Sequence, residues 1–145
     1  MKAYADTSFL VSLYTPDANS ALAAALMTQA ETDFFLTPFG EVELTNALEL
    51  RLFRKELDPP EVKAAHLAFQ KDLAMGVFSL KPLPVAVYEK AKQLAKRHTA
   101  LGVRTLDILH VAAALVLGAE AFYTFDPNQT KLAKAAGLAG LAKVK

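Results

Sequence analysis

The sequence predicts an α/β fold in which a parallel sheet of four to five strands carries helices on both faces. Strand-like segments alternate with helical ones along the chain, which is the order that produces a parallel sheet. The segment Phe34–Leu36 is apolar without period-two alternation, as in strands buried on both faces. The 145 residues contain no linker, repeat or low-complexity tract, so we expect one domain over residues 1–145.

The boundaries of the elements follow from turn and cap residues. Thr7 and Ser8 are suitable caps for the first helix, and Gly118 is suitable for the end of a strongly apolar helix. Strands are predicted at Lys2–Asp6, Asp33–Thr37, Val77–Leu80, Ala121–Phe125 and, as a short last strand, Leu141–Val144. Helices are predicted at Phe9–Tyr14, Asp17–Ala30, Phe39–Leu57, Pro60–Met75, Val85–His98, Leu106–Leu117 and Pro127–Ala136.

The composition is that of a folded protein without cysteine chemistry. Apolar residues make up 53% of the chain and charged residues 21%, which argues against disorder. With a net charge of +1, any polyanionic partner must meet a local basic patch. The absence of cysteine excludes disulfides, thiolate zinc sites and cysteine nucleophiles. Because Asp6 interrupts the opening segment and Ile108–Tyr123 is too short to span a bilayer, we expect a cytoplasmic protein with no membrane contact.

Two acids lie where predicted strands end. Asp6 follows the opening strand, and Asp126 follows the segment AFYTF. Ligands of parallel α/β sheets gather at the carboxyl ends of the strands, so both acids are candidates for a site there. Each also has a structural explanation: Asp126 precedes Pro127 and suits a helix start, and Asp6 suits a turn toward Ser8.

A third acid, Glu43, is predicted on the helix Phe39–Leu57. At about 100° per residue it shares a face with several residues that we interpret as the core-facing stripe: Phe39, Asn46, Ala47, Leu50 and Phe53. Glu41 and Glu49 lie elsewhere on this helix. A carboxylate on a buried stripe is costly unless it is paired or binds metal. The alternative is a glutamate that reaches water from the edge of the core.

The same helix carries a second apolar line, formed by Leu44, Leu48 and Leu52, opposite the Glu43 face. An apolar stripe left over after core packing commonly marks an interface, and two-fold dimers are the commonest closed assembly. We therefore predict a homodimer that uses this line.

The fourth acid, Asp107, lies in the first turn of a helix that is apolar nearly all round. The helix dipole favours an anion there, and Arg104 and His110 lie one turn to either side. An ordinary first-turn aspartate with Thr105 as the cap is an alternative. His110 by itself is interpreted as a packed, hydrogen-bonded histidine rather than a ligand.

Together, the four acids predict a cation site. Two carboxylates about 4 Å apart repel by roughly 4 kcal/mol at an effective dielectric constant of 20, so a cluster requires a cation or shared protons. Oxygen ligands without cysteine suit Mg²⁺ or Mn²⁺. Such a site is suited to phosphodiester hydrolysis, in which metal activates water and stabilises charge.

Four segments resemble, in order and at the usual spacing, the motifs of PIN domains. Asp6-Thr7-Ser8 resembles the first, and PFGEVELTNAL, with Glu43 at the acid position and Asn46 following, resembles the second. RTLDILHVAAA, which contains Arg104 and Asp107, is similar to the third. Thr124-Phe-Asp126, followed by KLAKAAGL, is similar to the fourth. The third and fourth motifs together are the most specific part of the match, which spans the whole chain.

The length and single-domain build resemble the VapC toxins of VapBC toxin–antitoxin pairs. The resemblance implies a PIN-like three-layer sandwich, a homodimer, an antitoxin partner and an endoribonuclease that uses Mg²⁺ or Mn²⁺ to cut RNA. It assigns catalysis and metal binding to Asp6, Glu43, Asp107 and Asp126, and supporting or substrate-contacting roles to Thr7, Ser8, Asn46, Arg104 and Thr124. Asn128 is a departure, because some relatives carry another acid near that position.

Other function classes fit less well. A phosphoacceptor receiver domain needs an adjacent acidic pair after its first strand, but Thr7 follows Asp6. A haloacid-dehalogenase phosphatase would have an aspartate where this chain has Ser8, and no phosphate-binding glycine motif is present. The non-enzymatic alternative is a PIN-like module that binds RNA or protein without cutting.

Basic residues that could meet an RNA backbone are few. They are Arg51, Arg54 and Lys55 on one helix, Lys96, Arg97 and His98 near the third motif, and Arg104. Such residues more often belong to a solvated surface, so Arg104, beside Asp107, is the preferred candidate.

Overall fold

A four-stranded parallel sheet forms the centre of the protein. The computed structural model describes residues 1–29 and 31–141. Its strands are β1 (Lys2–Ala5), β2 (Asp33–Leu36), β3 (Phe78–Leu80) and β4 (Ala121–Tyr123), in the spatial order β3-β2-β1-β4. The predicted parallel α/β class is confirmed. Residues 142–144 of the predicted last strand lie outside the described residues, and Ala139 forms an isolated parallel bridge with Ala121.

Seven α-helices accompany the sheet within the described ranges. They are α1 (Thr7–Tyr14), α2 (Ser20–Met27), α3 (Pro38–Phe53), α4 (Pro59–Ala74), α5 (Ala86–Arg97), α6 (Thr105–Val116) and α7 (Pro127–Ala135), with a short 3₁₀ turn at Thr99–Leu101. The start of α1 comes two residues earlier than predicted, because the side chain of Asp6 caps it by accepting from the backbone N–H of Phe9.

Two predicted helices are shorter in the structure than the sequence indicated. The start of α2 is Ser20 rather than Asp17, because the carboxylate of Asp17 accepts hydrogen bonds from the N–H of Asn19 and the hydroxyl of Ser20 and so forms a turn. The end of α3 is Phe53 rather than Leu57, because Lys55 adopts a positive φ of 60° that an α-helix does not accept.

The sheet separates two hydrophobic layers. The first layer lies between the sheet and α1–α4, and the second lies between the sheet and α5–α7. Successive strand residues point to opposite faces, so Ala3 and Ala5 enter the first layer while Tyr4 enters the second. The three-layer arrangement expected from the sequence is confirmed. No helix within the described ranges has the length and apolar character needed to cross a membrane.

The predicted orientation of α3 is wrong, and so is the interface that was based on it. Leu44 and Leu48 are 1% and 0% exposed and belong to the first layer, whereas Phe53 is 82% exposed. Both faces of α3 carry leucine, so the sequence of the helix does not show which face is buried. Packing against α1 and α4 determines that the Leu44 face is buried. The Leu44–Leu48–Leu52 line is therefore unavailable to a partner, and the homodimer itself stays a prediction.

Candidate functional site

The first component of the site is Asp6, directly after β1. Its carboxylate is 3% exposed and accepts three hydrogen bonds: Oδ1 from the hydroxyl of Ser8 (2.8 Å) and the N–H of Phe9 (3.0 Å), and Oδ2 from the hydroxyl of Thr124 (2.6 Å). Burial raises the pKa of Asp6, although these hydrogen bonds and the nearby His110 act in the opposite direction. Asp6 is thus held rigidly where β1 ends.

Thr124 and Ser8 connect Asp6 to the end of the neighbouring strand β4. The Oγ1 of Thr124 donates to Asp6 and accepts from the N–H of Asp126 at 3.0 Å. The Oγ of Ser8 accepts from the N–H of Phe125 at 3.0 Å. Because β1 and β4 are adjacent, these hydroxyls bind the segments that carry two of the predicted acids to each other.

Asp126 is the N-cap of α7. Its Oδ1 accepts from the N–H groups of Asn128 (2.8 Å) and Gln129 (3.3 Å), and Pro127 occupies the first turn. The predicted role of Asp126 at a helix start is therefore confirmed, and Asp6, predicted to turn the chain toward Ser8, accepts from Ser8 and caps α1. Capping uses Oδ1 of Asp126, so it does not prevent Oδ2 from contributing to a site.

Glu43 reaches the same region from α3. Its Oε1 accepts from the hydroxyl of Thr7 at 3.0 Å and from Nε2 of His110. Burial alone would raise the pKa of Glu43, but the hydrogen bond and charge of His110, together with the bond from Thr7, outweigh it and lower the pKa. The glutamate is half-buried and connected to α1 and α6 at once.

Asp107 completes the set in the first turn of α6. Burial raises its pKa, and so does the negative charge of Asp126 and, more weakly, that of Glu43, while His110 and Arg104 act in the opposite direction. Arg104 occupies the N-cap position of this helix, without a side-chain capping bond. The side chain of Asp107 has no hydrogen-bond partner among residues 1–29 and 31–141.

The fold and this constellation agree with a known family, since the PIN domain family model matches residues 3–135. The chain belongs to the PIN domain family. The resemblance drawn from the sequence motifs is confirmed. No curated protein sequence matches the chain.

Solved structures with the same fold include VapC toxins. This PIN domain is similar to VapC20 of Mycobacterium tuberculosis, a toxin that cleaves the sarcin–ricin loop, with a TM-score of 0.70, 19% identity, and 94% of this chain and 96% of that chain covered. It is similar to FitAcB of Neisseria gonorrhoeae, with a TM-score of 0.68, 17% identity and coverage of 97% and 96%. It is also similar to VapBC2 of Rickettsia felis bound to a promoter DNA fragment, with a TM-score of 0.65, 12% identity and 97% coverage of both chains. At these identities the likeness shows the fold.

Not every predicted site residue of this PIN domain lies with the acids. Asn46 is exposed and lines a separate shallow cavity with Glu41, Val42 and Glu49. Within residues 1–29 and 31–141, no three histidine, aspartate or glutamate side chains stand close enough to enclose a metal ion. The arrangement is a group of carboxylates from the ends of β1 and β4 and from α3 and α6, not a closed metal cage.

A groove adjoins these carboxylates and contains two of the predicted basic residues. Its volume is about 510 Å³, and its lining includes Ser8, Asp126, Arg51 and Arg54. Arg51 donates to the hydroxyl of Thr15 at 3.1 Å and lies near acidic side chains, whereas the guanidinium of Arg54 has no ion-pair partner in the part of the chain that the structure describes. This groove gave no signal in the sequence, because its two sides come from α1 and α3.

Proposed function

We propose that this protein is a divalent-metal-dependent endoribonuclease and the toxin of a toxin–antitoxin pair. The observation that carries the proposal is the placement of four acids around one region: Asp6 and Asp126 at adjacent strand ends joined through Thr124, Glu43 in contact with His110 of α6, and Asp107 on the same helix, where Asp126 and Glu43 raise its pKa. Carboxylates that repel one another are stable in a folded protein only where a cation or a bound proton relieves the repulsion. The membership of the PIN family and the likeness to VapC20, a toxin, support the same function.

The donor atoms that remain free are suited to Mg²⁺ or Mn²⁺. Oε2 of Glu43, Oδ2 of Asp126 and both oxygens of Asp107 accept no hydrogen bond from the described residues, and Oδ2 of Asp6 accepts one. Mg²⁺ commonly takes one or two protein carboxylates and completes its octahedron with water and substrate phosphate. Pairs of these carboxylates therefore provide sufficient ligands although no three of the described side chains converge.

Each group of the chain has a defined task in this proposal. When bound, the metal supplies an activated water and stabilises the negative charge that develops during phosphodiester hydrolysis. Ser8 and Thr124 hold Asp6 in one orientation, and Thr7 holds Glu43. Arg104 precedes the helix of Asp107 and is exposed, so its guanidinium is available to an RNA phosphate.

The groove beside Asp126 is where we place the RNA strand. Arg54 presents a guanidinium without an ion-pair partner among the described residues, and a guanidinium forms bidentate bonds with phosphate. With a net charge of only +1, the protein requires such local cations to bind a polyanion.

Four conservative substitutions test the proposal: Asp6→Asn, Glu43→Gln, Asp107→Asn and Asp126→Asn. Each removes a charge while nearly keeping the shape, so RNA cleavage with Mg²⁺ or Mn²⁺ should fall by about a hundredfold or more, equivalent to at least about 2.7 kcal/mol of transition-state stabilisation. Stability without metal should hold or rise in Asp6→Asn and Asp107→Asn, because the raised pKa values show that the fold disfavours these charges, and asparagine at position 6 still caps α1. Glu43→Gln should lower stability, because His110 and Thr7 favour the ionised glutamate. Metal should raise the melting temperature of the parent more than that of the variants.

Glu41→Gln is the matched control, since Glu41 lies two residues before Glu43, on a different side of α3 and on the wall of another cavity. It should cleave RNA like the parent. Normal cleavage by all four site variants would refute the nuclease proposal. An unmodified protein that binds RNA but does not cut it with either metal would favour the non-catalytic module instead.

The proposed partner is an antitoxin that occupies the carboxylate site. A cluster of carboxylates is a natural receptor for a guanidinium, so an arginine or lysine of the antitoxin should enter the site and compete with metal or RNA. Titration of the cognate antitoxin into the cleavage assay measures this competition. Tight binding that leaves cleavage at its full rate would contradict the proposed mode.

A further inference from the structure

A buried chain of hydrogen bonds leads from the centre of the sheet to Glu43. The imidazole of His110 is 2% exposed, and its Nδ1 lies 2.6 Å from the hydroxyl of Tyr4, which is itself completely buried on β1. At its other end, Nε2 of His110 contacts Oε1 of Glu43. The chain therefore joins β1, α6 and α3 through side chains alone.

Packing holds the imidazole in one orientation. The ring of Phe39 lies 4.7 Å from that of His110, and the ring of Tyr4 lies 5.6 Å away in an edge-on arrangement. A buried ring with two hydrogen bonds and two aromatic neighbours cannot rotate without leaving polar atoms unsatisfied. The direction of the bond from His110 to Glu43 is thus determined by the core.

The bonding partners also determine which ring nitrogen carries the proton that faces Glu43. A glutamate carboxylate only accepts hydrogen bonds, so the nitrogen in contact with it, Nε2, must carry a proton. The hydroxyl of Tyr4 can donate or accept, so it satisfies Nδ1 whether or not that nitrogen carries a proton. Tyr4 and Glu43 therefore hold the Nε2–H group of His110 toward Oε1.

We propose that His110 is a positioning residue of the nuclease site, which Tyr4 holds with its Nε2–H group toward Glu43 so that Glu43 serves the site through Oε2 alone. Oε1 accepts from both Thr7 and His110, whereas Oε2 has no protein donor among the described residues. A glutamate on a helix otherwise rotates about its side-chain torsions, and this arrangement removes that freedom. The inference rests on the proposed nuclease function and adds a role for two residues outside the four acids.

The proton on Nε2 is directly measurable by nitrogen NMR on protein labelled at histidine. The chain has three histidines, and substitution of His66 or His98 assigns their signals. We expect a proton on Nε2 of His110, and a change in the His110 signals in Tyr4→Phe. An Nε2 of His110 without a proton in the parent protein would overturn the proposal, whether or not the protein cleaves RNA.

Substitutions test the effect on the site. Tyr4→Phe removes only the hydroxyl, and it should lower kcat for RNA cleavage and the affinity for Mn²⁺ by about tenfold, the lower end of the range for residues that orient metal ligands. KM for RNA should stay unchanged. The affinity is read by the electron paramagnetic resonance signal of free Mn²⁺, independently of cleavage. Tyr14→Phe is the matched control. Tyr14 packs against the first layer and donates a similar hydrogen bond (2.5 Å) to Asp72, and neither residue bonds to the four acids of the site.

A second pair of variants separates positioning from packing. His110→Gln keeps an N–H near the place of Nε2, whereas His110→Met has a similar length and no donor. If His110 positions Glu43, His110→Gln should retain more Mn²⁺ affinity and a higher kcat than His110→Met when both are assayed below their melting temperatures. Equal values for the two would indicate a purely structural histidine and overturn the proposal.

The outcomes for the two proposals are distinguishable. If the parent protein cuts no RNA, the nuclease proposal fails, while the proton on Nε2 and the Mn²⁺ affinities still decide whether His110 orients Glu43. If the parent cuts RNA and Tyr4→Phe matches it in kcat and Mn²⁺ affinity, the positioning role fails and the nuclease proposal is unaffected.

Discussion

The two layers beside the sheet are built from different kinds of side chain. The first layer is a network of aromatic rings, in which Phe34 lies within about 6 Å of Phe9, Phe78 and Tyr123. The second layer is dominated by α6, whose residues 111–114 are Val-Ala-Ala-Ala and completely buried. Small side chains allow α6 to pack closely against α5 within this layer, and His110, which directly precedes them, contacts both Tyr4 and Glu43. The rings of the first layer chiefly supply buried area, whereas α6 of the second layer carries Asp107 and His110.

The largest expected effect on stability comes from a substitution in the first layer. Phe69 on α4 is 3% exposed and contacts the rings of Tyr14 and Phe78. Phe69→Ala should lower the free energy of unfolding by about 3–5 kcal/mol, through lost burial and the cavity left behind. Cleavage per folded molecule should stay near that of the parent, because no hydrogen bond of the site involves α4. Urea unfolding and an assay corrected for the folded fraction measure the two quantities, and a selective loss of cleavage would contradict this division of roles.

A smaller loss of stability is expected when the second layer is overpacked. Ala113 on α6 is completely buried in the second layer. A larger side chain does not fit there, so Ala113→Leu should lower the free energy of unfolding by about 1–3 kcal/mol. Displacement of α6 should also move Asp107 and His110, and we expect cleavage to fall by more than the loss of folded protein explains. Ala68→Leu on the exposed face of α4 is the control and should change neither quantity. If Ala113→Leu lowered the free energy of unfolding but left cleavage per folded molecule unchanged, the packing of α6 would not be what positions the site.

The smallest effect concerns an exposed polar cluster at the corner between α1 and α2. Desolvation by burial raises the pKa of Asp17. Hydrogen bonds from Ser12, the N–H of Asn19 and Ser20, with the charge of Arg51, together outweigh desolvation, so the net effect is a lowered pKa. Because the folded pKa is the lower one, the ionised group stabilises the protein above the ordinary carboxyl pKa of about 3.9, and this contribution is lost as the pH falls through the folded pKa.

Asp17→Asn should accordingly lower the free energy of unfolding at pH 7 by less than about 1 kcal/mol, since solvent screens this cluster. Urea titrations at pH 7 and below pH 3 measure the difference between the parent and the variant, which should shrink at the lower pH. A difference that grows in acid would mean that the carboxylate of Asp17 is destabilising in the folded protein.

The strands and most helices were predictable because their signals are local. The four strands were predicted to within two residues at each end, and the cap at Asp126 was recognised from Pro127. Thr7 and Ser8 were predicted as caps of α1, but Asp6 caps it. The position of α2 was less accurate, because the turn at Asp17 depends on the hydroxyl of Ser20 rather than on hydrophobic periodicity. The four motif acids were identifiable because each lies in a short pattern, although the roles assigned to them stay predictions.

The sequence by itself determined the parallel α/β class, the order of the elements and the family, since these depend on periodicity, caps and motif spacing along the chain. The tertiary structure alone decided which face of α3 packs inward, because Leu44 and Phe53 are equally apolar and only the neighbouring helices distinguish them. It also decided the contact of Tyr4 with His110, two residues 106 positions apart. Hydrogen bonds of that kind depend on the distance between elements once the sheet and its two layers have packed, and no local pattern in a sequence records that distance.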